Sequence, residues 1–255
     1  MKISVETIRH WPEGRSLLAV TAYDFTMARL LDQAAVDIIH VGDSLGMVML
    51  GYPDTVDVSL SDMIRATESV ARAQPSALIT ADLSAGTYDD PESALESACA
   101  LIRAGADAVK MEGGEEIASQ IERVIREGIA VQGHLGMLPQ QIRREGAYKK
   151  KGKTEREQAK LLKDAQVLEA LGIFSLVLEA VEERTAASLT QELSCPTIGI
   201  ASGPDTTGQI HVVTDVLGLT PWFHFPHVHP QMDGANAVVQ AVQRCRHQGS
   251  RPTAS

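Results

Sequence analysis

Short apolar runs alternate with longer amphipathic segments along almost the whole chain, and no other feature restricts the possible folds as strongly. The runs are LLAVTAY (17–23), DIIHVG (37–42), SALITADL (76–83), DAVKMEG (107–113), AVQGHLG (130–136), FSLVLEA (174–180) and TIGIAS (197–202), with an eighth expected near HVVTDVLGL (211–219). Their length suits strands. Their near-continuous apolar character suits parallel strands covered on both faces better than half-exposed antiparallel ones. The segments between them, such as FTMARLLDQAA, PESALESACALIRAG and TEREQAKLLKDAQVLEALG, carry helical periodicity. Gly105, Gly128 and Gly172 stand where several of them end, as a left-handed helix terminus requires, and Asp89, Asp90 and Pro91 mark a helix start.

Repeated βα units leave two architectures, a closed barrel and a doubly wound open sheet. The open sheet calls for a G-x-G-x-x-G turn after its first strand, whereas Tyr23-Asp24-Phe25 stands there. The reading is therefore α/β, a (β/α)8 TIM barrel forming one domain over residues 1–255, with a frayed tail from about 248. A length of 255 residues is ordinary for such a barrel. Aromatic residues make up only 4% of the chain, so small aliphatic side chains must fill the core.

The formal charge of −10 argues against nucleic-acid binding, which wants a basic face. Cys99, Cys195 and Cys245 are too scattered for a disulfide framework or a zinc ribbon. The opening MKISVETIRHWPEGRS lacks the apolar stretch of a signal peptide. No apolar run approaches the roughly 20 residues of a membrane span. These features predict a soluble, cytoplasmic protein with no membrane partner.

In a barrel, catalytic groups gather at the C-terminal ends of the strands. The first run ends near Thr21, Tyr23 and Asp24, the second at Asp43 and Ser44, the third at Asp82, and the fourth at Lys110 and Glu112. The fifth ends at His134, the sixth at Glu179 and the seventh at Ser202. Any one of these could simply cap the next helix. So many polar groups converging on one rim would cost desolvation, and a site explains them better. Asp43, Asp82 and Glu112 would repel one another unless a cation intervened. Hard carboxylate oxygens suit Mg2+, which takes one or two of them and leaves positions for substrate oxygens. A metal so placed is a Lewis acid able to stabilise an enolate. Lys110 offers a positive charge to a substrate carboxylate, or else an ion pair to a neighbouring Glu. His134 can donate to the same carboxylate, and Glu179, on another strand, can act as a base.

The blocks VGDSLGMVMLGYPDT, ADL, VKMEGG, GHLGMLPQ, VLEAV and IGIASGPDTTGQIHVVTDVLG, collinear over roughly residues 15 to 220, resemble ketopantoate hydroxymethyltransferase, a family similar to the phosphoenolpyruvate/pyruvate class of barrels. The resemblance implies transfer of a one-carbon unit from 5,10-methylenetetrahydrofolate to 3-methyl-2-oxobutanoate, giving 2-dehydropantoate for pantothenate biosynthesis. It implies Asp43 and Asp82 as Mg2+ ligands and Glu112 as a ligand or a support for the metal's water shell. It also implies Ser44 and the backbone beside it, with Lys110 and His134, as substrate contacts that join the two aspartates, and Glu179 as the catalytic proton acceptor. A homo-oligomer, a decamer in bacterial relatives, is implied too.

The chain departs from the family pattern in places. Leu83-Ser84-Ala85-Gly86 follows Asp82 where Pro-Phe is usual, Gly199-Ile200-Ala201-Ser202-Gly203 stands for GIGAG, and WFHFPHVHPQMDG replaces a Lys-Phe pattern. The alternatives are the same enolate chemistry on a different 2-oxo acid, a lyase or mutase on oxaloacetate-like acids, and a non-catalytic barrel. The lyase K-x-C-G-H signature is absent, and the full polar set at the rim weighs against a non-catalytic role. His224, His227 and His229 could hold a second metal, though a loop packed on the barrel mouth is favoured. The basic run KKKGK (149–153) reads as a solvated loop, with attraction of a folate's glutamate tail as the sharper alternative.

Overall fold

The computed structural model describes residues 2–222 and 228–248. Eight parallel strands close into a barrel in sequence order: β1 (Leu17–Thr21), β2 (Ile38–Val41), β3 (Leu78–Asp82), β4 (Ala108–Glu112), β5 (Val131–Gly136), β6 (Ser175–Glu179), β7 (Thr197–Ile200) and β8 (Gly208–His211). The first seven fall inside the seven apolar runs. The eighth does not: residues 213–216 of the expected segment are helical, and the strand is the more polar GQIH just before it. Apolar content misled here because Val212, Val213, Val216 and Leu217 recur at helical as well as strand spacing. Gly208 explains the true position, since a Cβ there would lie 2.2 Å from the Leu17 carbonyl oxygen where β8 closes on β1.

The helices are α1 (Val5–Arg9), α2 (Phe25–Gln33), α3 (Leu45–Val48), α4 (Leu60–Ala71), α5 (Pro91–Ala104), α6 (Ala118–Arg126), α7 (Ile142–Glu145), α8 (Glu155–Leu171), α9 (Glu183–Glu192), α10 (Val213–Val216) and α11 (Gly234–Gln248). Local chemistry sets their ends. Asp90 accepts from the backbone of Glu92 and Ser93, with Pro91 in the first turn of α5. Gly105 and Gly172 close α5 and α8 in left-handed conformation.

Two compact units divide the chain, Met1–Ile210 and His211–Ser255. In the first, Ile8 and Trp11 of the N-terminal segment pack with Leu17, Ala19, Ile38, Leu78, Phe174 and Ile198. These residues stand at or near the strand starts, so this cluster plugs the end of the barrel opposite the strand termini. Each large aliphatic side chain fully buried there contributes roughly 1.5–3 kcal/mol. The second unit holds α10 and α11. The expected tail GSRPTAS lies beyond the described residues. Among the described residues no helix is long and apolar enough to cross a membrane.

Candidate active site

Strand register assembles the rim. Side chains two apart on a strand share a face, so Thr80 and Asp82, Lys110 and Glu112, and Gln132 and His134 form three such pairs. His40 is level with Thr80, Asp82 with Lys110, and Glu112 with His134 on the neighbouring strands. Asp43, Asp82, Lys110, Glu112 and His134 are each 4% exposed or less. Ionised groups are so deeply buried only when they compensate one another.

Lys110 stands among the acids. Its Nζ lies 2.9 Å from Asp82 Oδ1 and 3.5 Å from Glu112 Oε1. The second Asp82 oxygen accepts from the Asp43 backbone N–H at 2.9 Å, and His40 Nε2 lies 3.2 Å from Oδ1. Burial opposes ionisation of Asp82, but Lys110 and His40 outweigh it and hold the carboxyl below the ordinary range. Glu112 is likewise lowered, Lys110 and His134 overcoming burial. Burial works against the Lys110 charge, and Asp82, Glu112 and Asp43 more than restore it.

Asp43 is different. Burial, then the charges of Asp82 and Glu112, push its carboxyl well above the ordinary range despite Lys110 and a hydrogen bond from Gln140. Three carboxylates thus meet one lysine, and one acid remains under-compensated. That donor set fits a divalent cation held by Asp43 and Asp82. Among the described residues no group of three Asp, Glu, His or Cys side chains is placed to hold a metal ion.

His134 carries Glu112 Oε1 3.3 Å from Nδ1 and Glu179 Oε2 3.3 Å from Nε2. Burial and the nearby Lys110 oppose its charge, yet the two carboxylates outweigh them and raise its pKa to about 9. Glu179 ends β6, is more open than His134, and accepts from the Tyr148 hydroxyl at 2.8 Å. Gly136 makes room for it. At φ 102, a Cβ on Gly136 would stand 2.2 Å from the Glu179 carbonyl oxygen, which accepts from Met137 N at 2.8 Å.

Ser44 lies beside Asp43 and its Oγ is 2.9 Å from the Tyr23 hydroxyl. Two other rim residues have structural roles. Asp24 caps α2 through Met27 N. Ser202 ties β7 to β6, accepting from Val181 N and donating to Leu178 O. Sequence reasoning missed His40, Tyr88, Gln140 and Tyr148. Gln140 sits in the GHLGMLPQ block, which offered a signal; the other three have ordinary sequence surroundings.

The basic run is less free than a solvated loop. Lys151 pairs through its backbone with Ala180 and Glu182, and its ammonium meets Glu145. Lys150 lies 3.7 Å from Glu183. His229 is exposed, and His224 and His227 lie outside the described residues.

Known proteins resemble this chain in sequence and in fold. A family model described as ketopantoate hydroxymethyltransferase matches residues 2–250. A relative from Ignicoccus hospitalis, named 3-methyl-2-oxobutanoate hydroxymethyltransferase, is 45% identical over 95% of this chain and 93% of its own. Relatives of the same name from Thermoanaerobacter sp. (45% identical; 95% and 92% covered) and Pyrobaculum neutrophilum (51%; 84% and 83%) match similarly. Among solved structures, a phosphonopyruvate hydrolase superposes with TM-score 0.69 at 15% identity, covering 98% of this chain and 89% of that one. A 2,3-dimethylmalate lyase superposes with TM-score 0.66 at 15% identity, covering 100% and 88%. At that identity, the likeness speaks for the shared barrel.

Proposed function

Because this chain belongs to the ketopantoate hydroxymethyltransferase family, we propose that it transfers a hydroxymethyl group to 3-methyl-2-oxobutanoate and so yields 2-dehydropantoate. The donor in this reading is 5,10-methylenetetrahydrofolate and the metal is Mg2+, held by Asp43 and Asp82 with Glu112 supporting. The observation that carries it is the buried group of Asp43, Asp82 and Glu112 around Lys110, with Glu179 at its open edge.

Bound there, Mg2+ would supply Lewis acidity toward a 2-oxo group. Lys110 and His134 offer positive charge to the substrate carboxylate, and Ser44 with its neighbouring backbone offers a hydrogen bond. Such charge-assisted contacts are the strong ones, and they orient C3 of the acid toward Glu179. The Glu179 carboxylate takes the C3 proton, and Tyr148 holds its other oxygen in place. C3 then forms a bond to the methylene carbon of the folate. Over the whole reaction both carbon–nitrogen bonds of that methylene break, and one water supplies the hydroxyl oxygen of the product. The two folate nitrogens take up the C3 proton and a proton of that water, leaving tetrahydrofolate. Closed, dry surroundings keep these charges effective.

Assembly into a homo-oligomer belongs to the same reading. Residues 236–246 of α11 are exposed throughout, Val238, Val239 and Val242 among them. An uncovered helix of this length is marginal in water, which supports contact with another copy. Cytoplasmic residence follows from the proposed pathway.

The proposal is tested by mass spectrometry of the product formed from the oxo-acid and the folate, with Mg2+ and after chelation. Metal-dependent 2-dehydropantoate supports it. Product from a different 2-oxo acid alone would move the chemistry to another pathway.

A further inference from the structure

Gln140 touches four separate parts of the site. Its backbone N–H donates to Glu112 Oε2 at 3.2 Å. Its side-chain Nε2 donates to Asp43 Oδ2 and to the Leu83 carbonyl, both at 2.8 Å. Its Oε1 accepts from the Tyr88 hydroxyl at 2.5 Å. Pro139 and Gln140 lie in a single 3-10 turn, Pro139–Gln141, and the first N–H groups of such a turn lack partners within it. Glu112 takes one of them.

The orientation of the amide follows from its neighbours. Reversed, its oxygen would face the Asp43 carboxylate and the Leu83 carbonyl, two acceptors, while its NH2 would face the Tyr88 hydroxyl. Only the observed orientation gives both acceptors a donor. A Gln side chain supplies two donors and an acceptor on one planar group, and all three functions are used here. Asn is one methylene shorter, and Glu would set a second carboxylate against Asp43.

We infer that Gln140 is a positioning residue that ties Asp43 to Glu112 across the barrel mouth and thereby sets the site's affinity for a divalent cation. It touches no reacting atom. It acts through the carboxylates, so the inference rests on reading Asp43 and Asp82 as the metal holders. Partners of this kind commonly change metal affinity by about 10–100-fold when removed.

The test is Mn2+ and Mg2+ titration of the full-length protein by calorimetry, in wild type, Gln140→Met, Tyr88→Phe and Asp43→Asn, with melting temperature in EDTA measured alongside. Gln140→Met keeps the side-chain length without its hydrogen bonds. It is expected to weaken metal binding by about 10–100-fold while keeping a wild-type melting temperature in EDTA, and Tyr88→Phe to weaken it less. Turnover of Gln140→Met should recover as Mg2+ is raised to saturation. Wild-type metal affinity in both Gln140→Met and Tyr88→Phe would overturn the role of Gln140. If Gln140→Met fails to fold, Tyr88→Phe decides alone. A wild-type protein that binds neither metal, or an Asp43→Asn variant with undiminished affinity, would instead overturn the metal reading beneath it.

Discussion

His134 and Glu179, on adjacent strands, face each other with Nε2 3.3 Å from Oε2, and the other Glu179 oxygen is held by Tyr148. Glu179 thus has a partner on each side, and its side chain is 14% exposed where that of His134 is 2%. Glu179→Gln should keep metal and oxo-acid binding while losing proton exchange at C3, a loss of about 10²–10⁴-fold. Unchanged exchange would remove Glu179 from the role of base.

Tyr148→Phe takes away one of the two contacts that fix Glu179. It should lower kcat several-fold and leave the KM for the oxo-acid nearly unchanged. Steady-state kinetics with the oxo-acid varied checks this, and a rise confined to KM would argue that Tyr148 contacts substrate instead.

Much of this architecture was legible in the sequence because buried parallel strands are uniformly apolar. That property exposed seven strands, and their polar last residues exposed Asp43, Asp82, Lys110, Glu112, His134 and Glu179 together. β8 was misplaced because GQIH is polar and its position depends on Gly208 meeting Leu17, a contact remote in sequence. Gln140, Tyr88 and His40 were missed for a related reason. Their roles come from which atoms they reach across the barrel mouth; the GHLGMLPQ block offered a signal for Gln140 alone, and a Tyr in a loop has no local pattern that announces its role. The basic run was read as solvated, and only the structure shows Lys151 tied to Ala180 and Glu182.

Ala201 adopts φ 56, a left-handed conformation that costs a residue with a Cβ about 1–2 kcal/mol. The family pattern GIGAG has glycine at this position, and glycine adopts a left-handed backbone without that cost. Ala201→Gly should therefore stabilise the protein by roughly 0.5–1 kcal/mol after the greater flexibility of unfolded Gly is counted. Urea unfolding measures this, and a destabilised variant would refute it.

Lys149, Lys150 and Lys153 border the loop that carries Tyr148. Replacing the three with Gln, while sparing the structurally committed Lys151, should raise KM for the folate several-fold more than for the oxo-acid. The difference should shrink with added salt, as screening of exposed charges requires. Equal changes in both KM values would dispose of folate-tail attraction.

Proton exchange at C3 depends on the metal, the base and the oxo-acid together. The protein is incubated in D2O with Mg2+ and 3-methyl-2-oxobutanoate, and the C3 proton is followed by NMR, first without and then with 5,10-methylenetetrahydrofolate. Metal-dependent exchange is expected, abolished in each of Asp43→Asn, Asp82→Asn and Glu179→Gln, and followed by hydroxymethylation once the folate is added. Exchange that persists in all three variants, or an intact protein that exchanges only a different 2-oxo acid, would contradict the proposed function.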